Sequence, residues 1–327
     1  MNNRSSGSLL FSKALIGFVQ AKQAEGLSLR TVYTYRRDLE QWVARQGDLP
    51  VNEITSTHVR AYLAYLRTDY VPRRLNNKND KPLSAKTIRN VWATFSAFFT
   101  WAKHEFGVPD PMDDIPAPKY QKATVLPLTQ EQVEALIKVC ERSSEAQTTD
   151  RHKYTFRRAT AVRDRAIIKV LLDTGLRATE LCQLKVGDYD TQTGDIRVRL
   201  GKGGKSRMVY VQKNARRDLW RYLSSREDGE DPDAPLFLGR TDKPMNKDGL
   251  RHLLLRLGER AGVKNCHPHR MRHTFAIEFL RGGGDVFSLQ KLLGHSSLDM
   301  VRHYLHIAQV DVRNAHRRAS PVDKWRL

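Results

Sequence analysis

The sequence predicts a mainly α-helical protein with one small β-hairpin: a helical bundle, then an α+β domain. Three observations predict it. Apolar residues recur at helical spacing through most of residues 9–107. Strict alternation of the strand kind appears only around Gly201-Lys202-Gly203-Gly204. Four of the thirteen prolines fall within residues 109–118, which breaks any helix and reads as an extended linker. The 327 residues suit two domains of ordinary size, each able to bury a core. The expected boundaries are a helical domain over 9–108, a linker over 109–124 and a second domain over 125–327.

In chain order, four amphipathic runs form the bundle. They are Phe11-Ala14-Leu15-Phe18-Val19, Val32-Tyr35-Leu39-Trp42-Val43, Val59-Tyr62-Leu63-Leu66, and Ile88-Val91-Trp92-Phe95-Phe98-Phe99-Ala102. Residues 71–82, polar, basic and bounded by Pro72 and Pro82, read as a loop whose Arg73, Arg74 and Lys78 are placed to meet a phosphate backbone. Thr129-Gln130-Glu131-Gln132 is a capping box that opens the second domain's first helix, ending near Cys140. Residues 150–158 are basic with interleaved aromatics and read as a loop, either solvated or DNA-facing. Helices follow at about 162–174, 178–185, 214–224, 246–261, 270–282, 286–293 and 297–307, with strands at 196–200 and 207–211. The chain has no internal repeat.

Charge narrows the class. Against 56 Lys+Arg stand 36 Asp+Glu, a net +20. Residues 1–118 hold 16 and 11 of these, leaving 40 and 25 for residues 119–327. Both parts are basic, the second more so, and a polyanion, nucleic acid first, is the natural partner. Cys140, Cys182 and Cys266 are odd in number and widely spaced, which argues against a disulfide framework or zinc site and fits a reducing cytosol. No stretch is long and apolar enough for a membrane span and the start carries no signal-peptide pattern, so the expectation is a soluble, intracellular, nucleoid-associated protein.

Several motifs carry chemistry. Gly201-Lys202-Gly203-Gly204-Lys205-Ser206 lacks the leading glycine of a phosphate loop, since Arg199 occupies that place, and a strand follows it; nucleotide hydrolysis is excluded. Cys266-His267-Pro268-His269 would crowd three donors into one turn with no fourth, so His267 and His273 read as structural rather than metal ligands. Thr174-Gly175-Leu176-Arg177, the Gly201-Lys202-Gly203 turn, His269-x-x-Arg272 and Leu292-Leu293-Gly294-His295-Ser296-Ser297 follow in order, and Tyr304 stands nine residues beyond His295. A phenol nucleophile, two arginines, a lysine and imidazoles are the groups that attack on a phosphodiester needs.

That ordered series resembles the tyrosine recombinases, the family of phage integrases, transposon integrases and Xer recombinases. The N-terminal bundle is similar to the family's SAM-like core-binding domain, so the resemblance spans nearly the whole chain. It implies that Arg177 and Arg272 grip the scissile phosphate, Lys202 is the general acid, His269 an acid/base, His295 a further donor, Tyr304 the nucleophile and Glu180 a supporting carboxylate. Lys205 rivals Lys202 for the turn position and is otherwise a backbone contact or solvated. Lys86, Arg89, Lys205 and Arg207 join Arg73, Arg74 and Lys78 as expected DNA contacts. A tyrosine hydroxyl, with an ordinary pKa near ~10, attacks poorly unless cations and a proton acceptor favour the phenolate. Two bidentate arginines supply that field and stabilise the pentavalent transition state, so neither metal nor other cofactor is expected. Ala178-Thr179 and Met271 depart from the commoner residues of the family without removing a reacting group.

The resemblance further implies double-stranded DNA with inverted repeats as the partner, a dimer on each site and a tetramer in synapsis. It also implies a C-terminal segment, Val310 to Leu327 with Trp325 as its apolar anchor, that meets a neighbouring subunit. The start directly on bundle helices suggests no separate arm-binding domain, and the Ala315–Asp323 ending looks like those of element-borne enzymes. The expectation is an integrase or transposase of a mobile element working through a 3′-phosphotyrosyl bond and a Holliday junction. Alternatives are a Xer-like resolvase of chromosome or plasmid dimers, a type IB topoisomerase, whose histidine box usually differs, and a DNA-binding protein that no longer cleaves.

Overall fold

The computed structural model describes residues 9–72, 82–121, 125–143, 146–148, 151–156, 158–199, 206–239, 242–295, 297–298, 301–302, 304–305, 320 and 322. Two compact units divide between residues 123 and 124.

The first unit is built from α1 (Phe11–Ala24), α2 (Leu29–Gln46), α3 (Ser56–Thr68) and α4 (Ala85–Phe106). Their starts are written locally. Ser28 and Ser84 accept from the backbone N–H groups of Thr31 and Thr87, and Thr55 with His58 forms a capping box. The core is aromatic: Phe11 packs on Trp42 and Phe98 with ring centroids 4.6 and 4.4 Å apart, and Phe18, Tyr62, Phe95 and Phe99 complete it. Among the described residues, one buried polar pair enters this core. Asp38 is buried, ion-paired to Arg37 and hydrogen-bonded by the Thr94 hydroxyl at 3.3 Å.

The proline-rich segment is docked on this unit rather than extended free of it. Met112 and Ile115 are buried in the aromatic core, and the Trp92 indole donates to the Ile115 carbonyl. Arg60 donates to the carbonyl of Asp114 and Arg89 to that of Pro118. Proline content hid this, because two apolar side chains among prolines give no periodicity to detect.

The second unit surrounds α6 (Ala161–Thr174), which packs against α5 (Gln130–Glu141), α8 (Lys213–Leu223) and α10 (Pro268–Arg281). It is apolar on several sides, Ile167, Ile168, Val170 and Leu171 all being buried, as a central helix must be. The remaining helices are α7 (Ala178–Gln183), α9 (Lys247–Arg260) and α11 (Val286–Leu293). Strands β3 (Asp195–Val198) and β4 (Arg207–Tyr210) pair antiparallel, Val198 facing Arg207 and Ile196 facing Val209. Residues 301, 302, 304 and 305 are helical; the rest of the expected 297–307 helix is only partly within the described residues.

The basic stretch expected to be a loop contains a second antiparallel pair, β1 (Ala146–Thr148) with β2 (Arg151–Tyr154). Its residues, Ala146-Gln147-Thr148 and Arg151-His152-Lys153-Tyr154, are mostly polar and show no apolar alternation, the main strand signal used on a single sequence. Helix α10 begins at Pro268, two residues earlier than expected, because His267 caps it: its Nδ1 accepts from the Arg270 N–H at 3.1 Å. Proline at the first helical position suits that start. Among the described residues no helix is long and apolar enough to cross a membrane.

Candidate active site

The site lies within the second unit, where α7, α10, α11 and β4 converge. Its first component is a turn. Gly175 ends α6 at φ +62°, and an added Cβ there would meet the Phe275 ring at 2.2 Å and Leu293 at 2.9 Å. Both the left-handed backbone and the close approach require glycine. Gly175→Ala is expected to lower unfolding stability by roughly 2–4 kcal/mol, combining backbone strain with a displaced ring; a denaturant titration showing less than about 1 kcal/mol would refute the close approach.

Beyond the turn, Arg177 is the N-cap of α7 rather than a residue within it. Its backbone N–H donates to Glu180 Oε2 at 2.7 Å, and its guanidinium donates to Oε1 at 2.8 Å. Glu180 is buried and also receives both terminal nitrogens of Arg207, at 2.9 and 2.8 Å. Burial pushes the Glu180 carboxyl up, but the hydrogen bonds from Arg207 and Arg177 outweigh it and hold the pKa at about 2.

The second component is the C-terminus of α11. A helix leaves its last carbonyls without intrahelical donors and carries partial negative charge there. Three arginines fill them: Arg207 Nε donates to Leu292 O at 2.7 Å, Arg272 to Leu293 O at 2.8 Å and Arg177 to Gly294 O at 3.4 Å. Arg272 also donates to the Gly175 carbonyl, so the turn and the helix end are tied through one buried guanidinium. Burial and then the neighbouring Arg177 lower its pKa to about 10, which leaves it charged at neutral pH.

His295 follows directly. Arg272 donates to its Nε2 at 2.8 Å, so the ring proton belongs on Nδ1, which has no hydrogen-bond partner among the described residues. Burial, then Arg272, Arg177 and Arg207, lower its pKa to about 4, so the ring is neutral above that. The unfolded ring protonates near ~6.5 and the folded one only near 4, so acidification favours the unfolded chain across that window. We expect wild-type stability to fall as pH drops from 7 to 4, His295 supplying on the order of 2 kcal/mol of the loss. His295→Gln should flatten that window in denaturant titrations, and an unchanged slope would refute a depressed pKa.

Tyr304 is 4% exposed and packs with Phe275, Ile277, Leu289, Leu293 and Val301 in a cluster of its own. Its ring stacks parallel to His295 at 6.4 Å and meets His273 edge-on at 5.2 Å. Burial raises its pKa, while Arg272 and Arg177 pull it back. His273 Nε2 in turn lies 3.0 Å from His269 Nε2, one helical turn away on α10.

Arg177, Glu180, His269, Arg272, His295 and Tyr304 are therefore gathered by α7 with its N-cap, α10, the residue after the C-cap of α11, and the helical residues that follow it. Lys202, Lys205, Arg73, Arg74 and Lys78 lie outside the described residues. Lys86 is exposed on α4, and Arg89 is engaged with the Pro118 carbonyl and lies over the Tyr120 ring. Arg207, expected on the DNA-contacting surface, is instead turned inward with its side chain 11% exposed, because Glu180 and the α11 carbonyl hold all three guanidinium nitrogens. Period 2 could have found it: Arg207 shares a strand face with buried Val209 and Val211.

The phage integrase family matches residues 127–310, and the phage integrase N-terminal SAM-like domain matches residues 15–105. Tyrosine recombinase XerA of Thermococcus kodakarensis is 31% identical over 306 residues, covering 92% of this chain and 93% of its own. Tyrosine recombinase XerD of Staphylococcus haemolyticus is 28% identical over 309 residues, covering 93% and 96%. The solved structure of the Tn1549 transposon integrase in complex with a circular intermediate DNA shares the fold, at TM-score 0.68 and 21% identity over 89% of this chain and 94% of that one. Two matched segments in the family's order and a relative aligned across both units place this chain in the phage integrase family, the tyrosine recombinases, enzymes that break and rejoin DNA.

Proposed function

We propose that the chain is a site-specific recombinase in which Tyr304 attacks a scissile phosphate held by Arg177 and Arg272, forming a 3′-phosphotyrosyl bond and releasing a 5′-hydroxyl. The carrying observation is the buried Arg272, fixed between Gly175 O, Leu293 O and His295 Nε2 beside the tyrosine cluster. A guanidinium held this rigidly is preorganised for a phosphate oxygen. The neutral His295 keeps its N–H on Nδ1 as a further donor. His269, joined to His273, takes the phenolic proton, and Lys202 protonates the departing 5′ oxygen. The arginines supply the charge that a divalent cation supplies elsewhere, and the ester bond conserves the energy needed for religation, so neither metal nor ATP enters this scheme.

In this reading the helical unit is a core-binding domain, two protomers occupy an inverted-repeat site, and two sites synapse as a tetramer that exchanges strands through a Holliday junction. The physiological role we favour is an integrase or transposase of a mobile element. The Xer-like reading is supported by the XerA and XerD relatives. The test is incubation in EDTA with nicked duplexes carrying either the repeats bordering the gene's own element or the host's dimer-resolution site, scoring covalent adducts on a denaturing gel. An adduct on element ends is the expected result; one on the resolution site alone overturns the element reading. Native-gel binding with no adduct on either leaves a protein that binds without cleaving.

A further inference from the structure

Arg207 uses all three guanidinium nitrogens within the site, as the hydrogen bonds to Glu180 and the Leu292 carbonyl show, yet none of the roles above uses it. It opens β4, and Val198 opposite ends β3, so Arg207 stands where the chain re-enters the strand pair after residues 199–206, the stretch that includes Lys202. Its two terminal nitrogens span both oxygens of Glu180, and Nε reaches the Leu292 carbonyl. Arg177 uses the same two carboxylate oxygens. Arg177 leaves 31% of its side chain exposed, whereas Arg207 leaves 11%: one faces outward, the other lies behind it. Gly294 fits closely over this arrangement, since a Cβ there would come within 3.2 Å of the Arg207 guanidinium.

We propose that Arg207 is a positioning residue of the cleavage reaction: by clasping Glu180 and the end of α11 it fixes Arg177 and the His295 segment against each other, without touching DNA. This rests on the DNA-cleavage function proposed above. A planar fork suits the task where an ammonium does not, because one side chain must hold a carboxylate bidentately and a carbonyl at the same time. The ionised state of Glu180 belongs to the same arrangement, since a protonated carboxyl would release one of the two arginines.

The test is single-turnover adduct formation on nicked duplex by wild type, Arg207→Lys, Arg177→Ala and the double variant, with affinity read on native gels. Arg207→Lys is expected to slow cleavage by about tenfold or more, the range that orienting groups behind a reacting residue command, while affinity stays within about twofold. On the Arg177→Ala background the further loss should be under about threefold, because both variants damage one unit. The Arg207→Lys rate should also fall more steeply than the wild-type rate as pH drops from 7 to 5, as Glu180 loses its strongest partner. Cleavage by Arg207→Lys within twofold of wild type, affinity falling in step with cleavage, or losses that multiply would each overturn the proposal. Should Arg207→Lys not fold, Arg207→Met with Glu180→Leu replaces the buried pair by apolar groups, a change that cores commonly accept; it should fold and cleave slowly, and wild-type speed would overturn the idea. A wild-type protein that forms no adduct on any site sinks the recombinase reading itself, a result distinct from all of these.

Discussion

Tyr304→Phe is expected to abolish covalent adduct formation completely while leaving fold and DNA affinity in place. The ring is 4% exposed and fills its own apolar cluster, so phenylalanine keeps the packing and loses only the hydroxyl. Unfolding stability should change by no more than roughly 1 kcal/mol, the scale of losing one hydrogen-bonding group without creating a cavity. Separating chemistry from stability is what makes the variant decisive: the adduct must vanish from a protein whose melting and native-gel shift are unchanged. Persistence of an adduct would remove Tyr304 as the nucleophile and redirect attention to another tyrosine.

Arg272→Ala should be the most damaging substitution overall, because here chemistry and stability are lost together. The guanidinium supplies donors to Gly175 O, Leu293 O and His295 Nε2, all in a buried setting. Truncation leaves these acceptors without their donor at an expected loss of roughly 2–4 kcal/mol. On the proposed mechanism it also removes a preorganised phosphate ligand, a change that costs about 10²–10³ in rate for a single donor and more for a bidentate one. Arg272→Lys restores the charge but cannot span three acceptors in one plane, so it should recover part of the stability and little of the rate. The checks are thermal melting and single-turnover cleavage well below the transition. Cleavage by Arg272→Ala within tenfold of wild type would refute a direct role on the phosphate.

Most of the architecture could be read from sequence because helix starts are encoded locally. Ser28, Ser84 and Thr129 each cap a helix that begins with the next residue, and the aromatic stripe of α4 declares its buried face. The candidate site was legible for a different reason: its boxes keep their order along the chain. What escaped was everything that depends on pairing across distance. Met112 and Ile115 acquire meaning only once α4 offers them a core. The β1–β2 pair is held by backbone hydrogen bonds, which any side chains can accompany. Arg207 read as a surface cation because its carboxylate partner lies 27 residues away on another element. His267 read simply as structural, and the cap it provides is invisible until α10 is seen to start at Pro268.

Counted as whole charges, the arginine cluster has a further consequence. Arg177, Arg207 and Arg272 contribute three positive charges; Glu180, held near pKa 2, contributes one negative charge; and His295, held near pKa 4, contributes none. The described site is thus doubly positive before substrate arrives. In the proposed reaction a phosphodiester brings one negative charge and the attacking phenolate a second, so the pentavalent arrangement between them offsets both positive charges, whereas the phosphotyrosyl ester left once the 5′ oxygen departs protonated carries only one. The empty site, the site holding a diester beside a neutral phenol and the site holding the ester product each keep positive charge uncompensated, so in this scheme the electrostatic match is to the transition state.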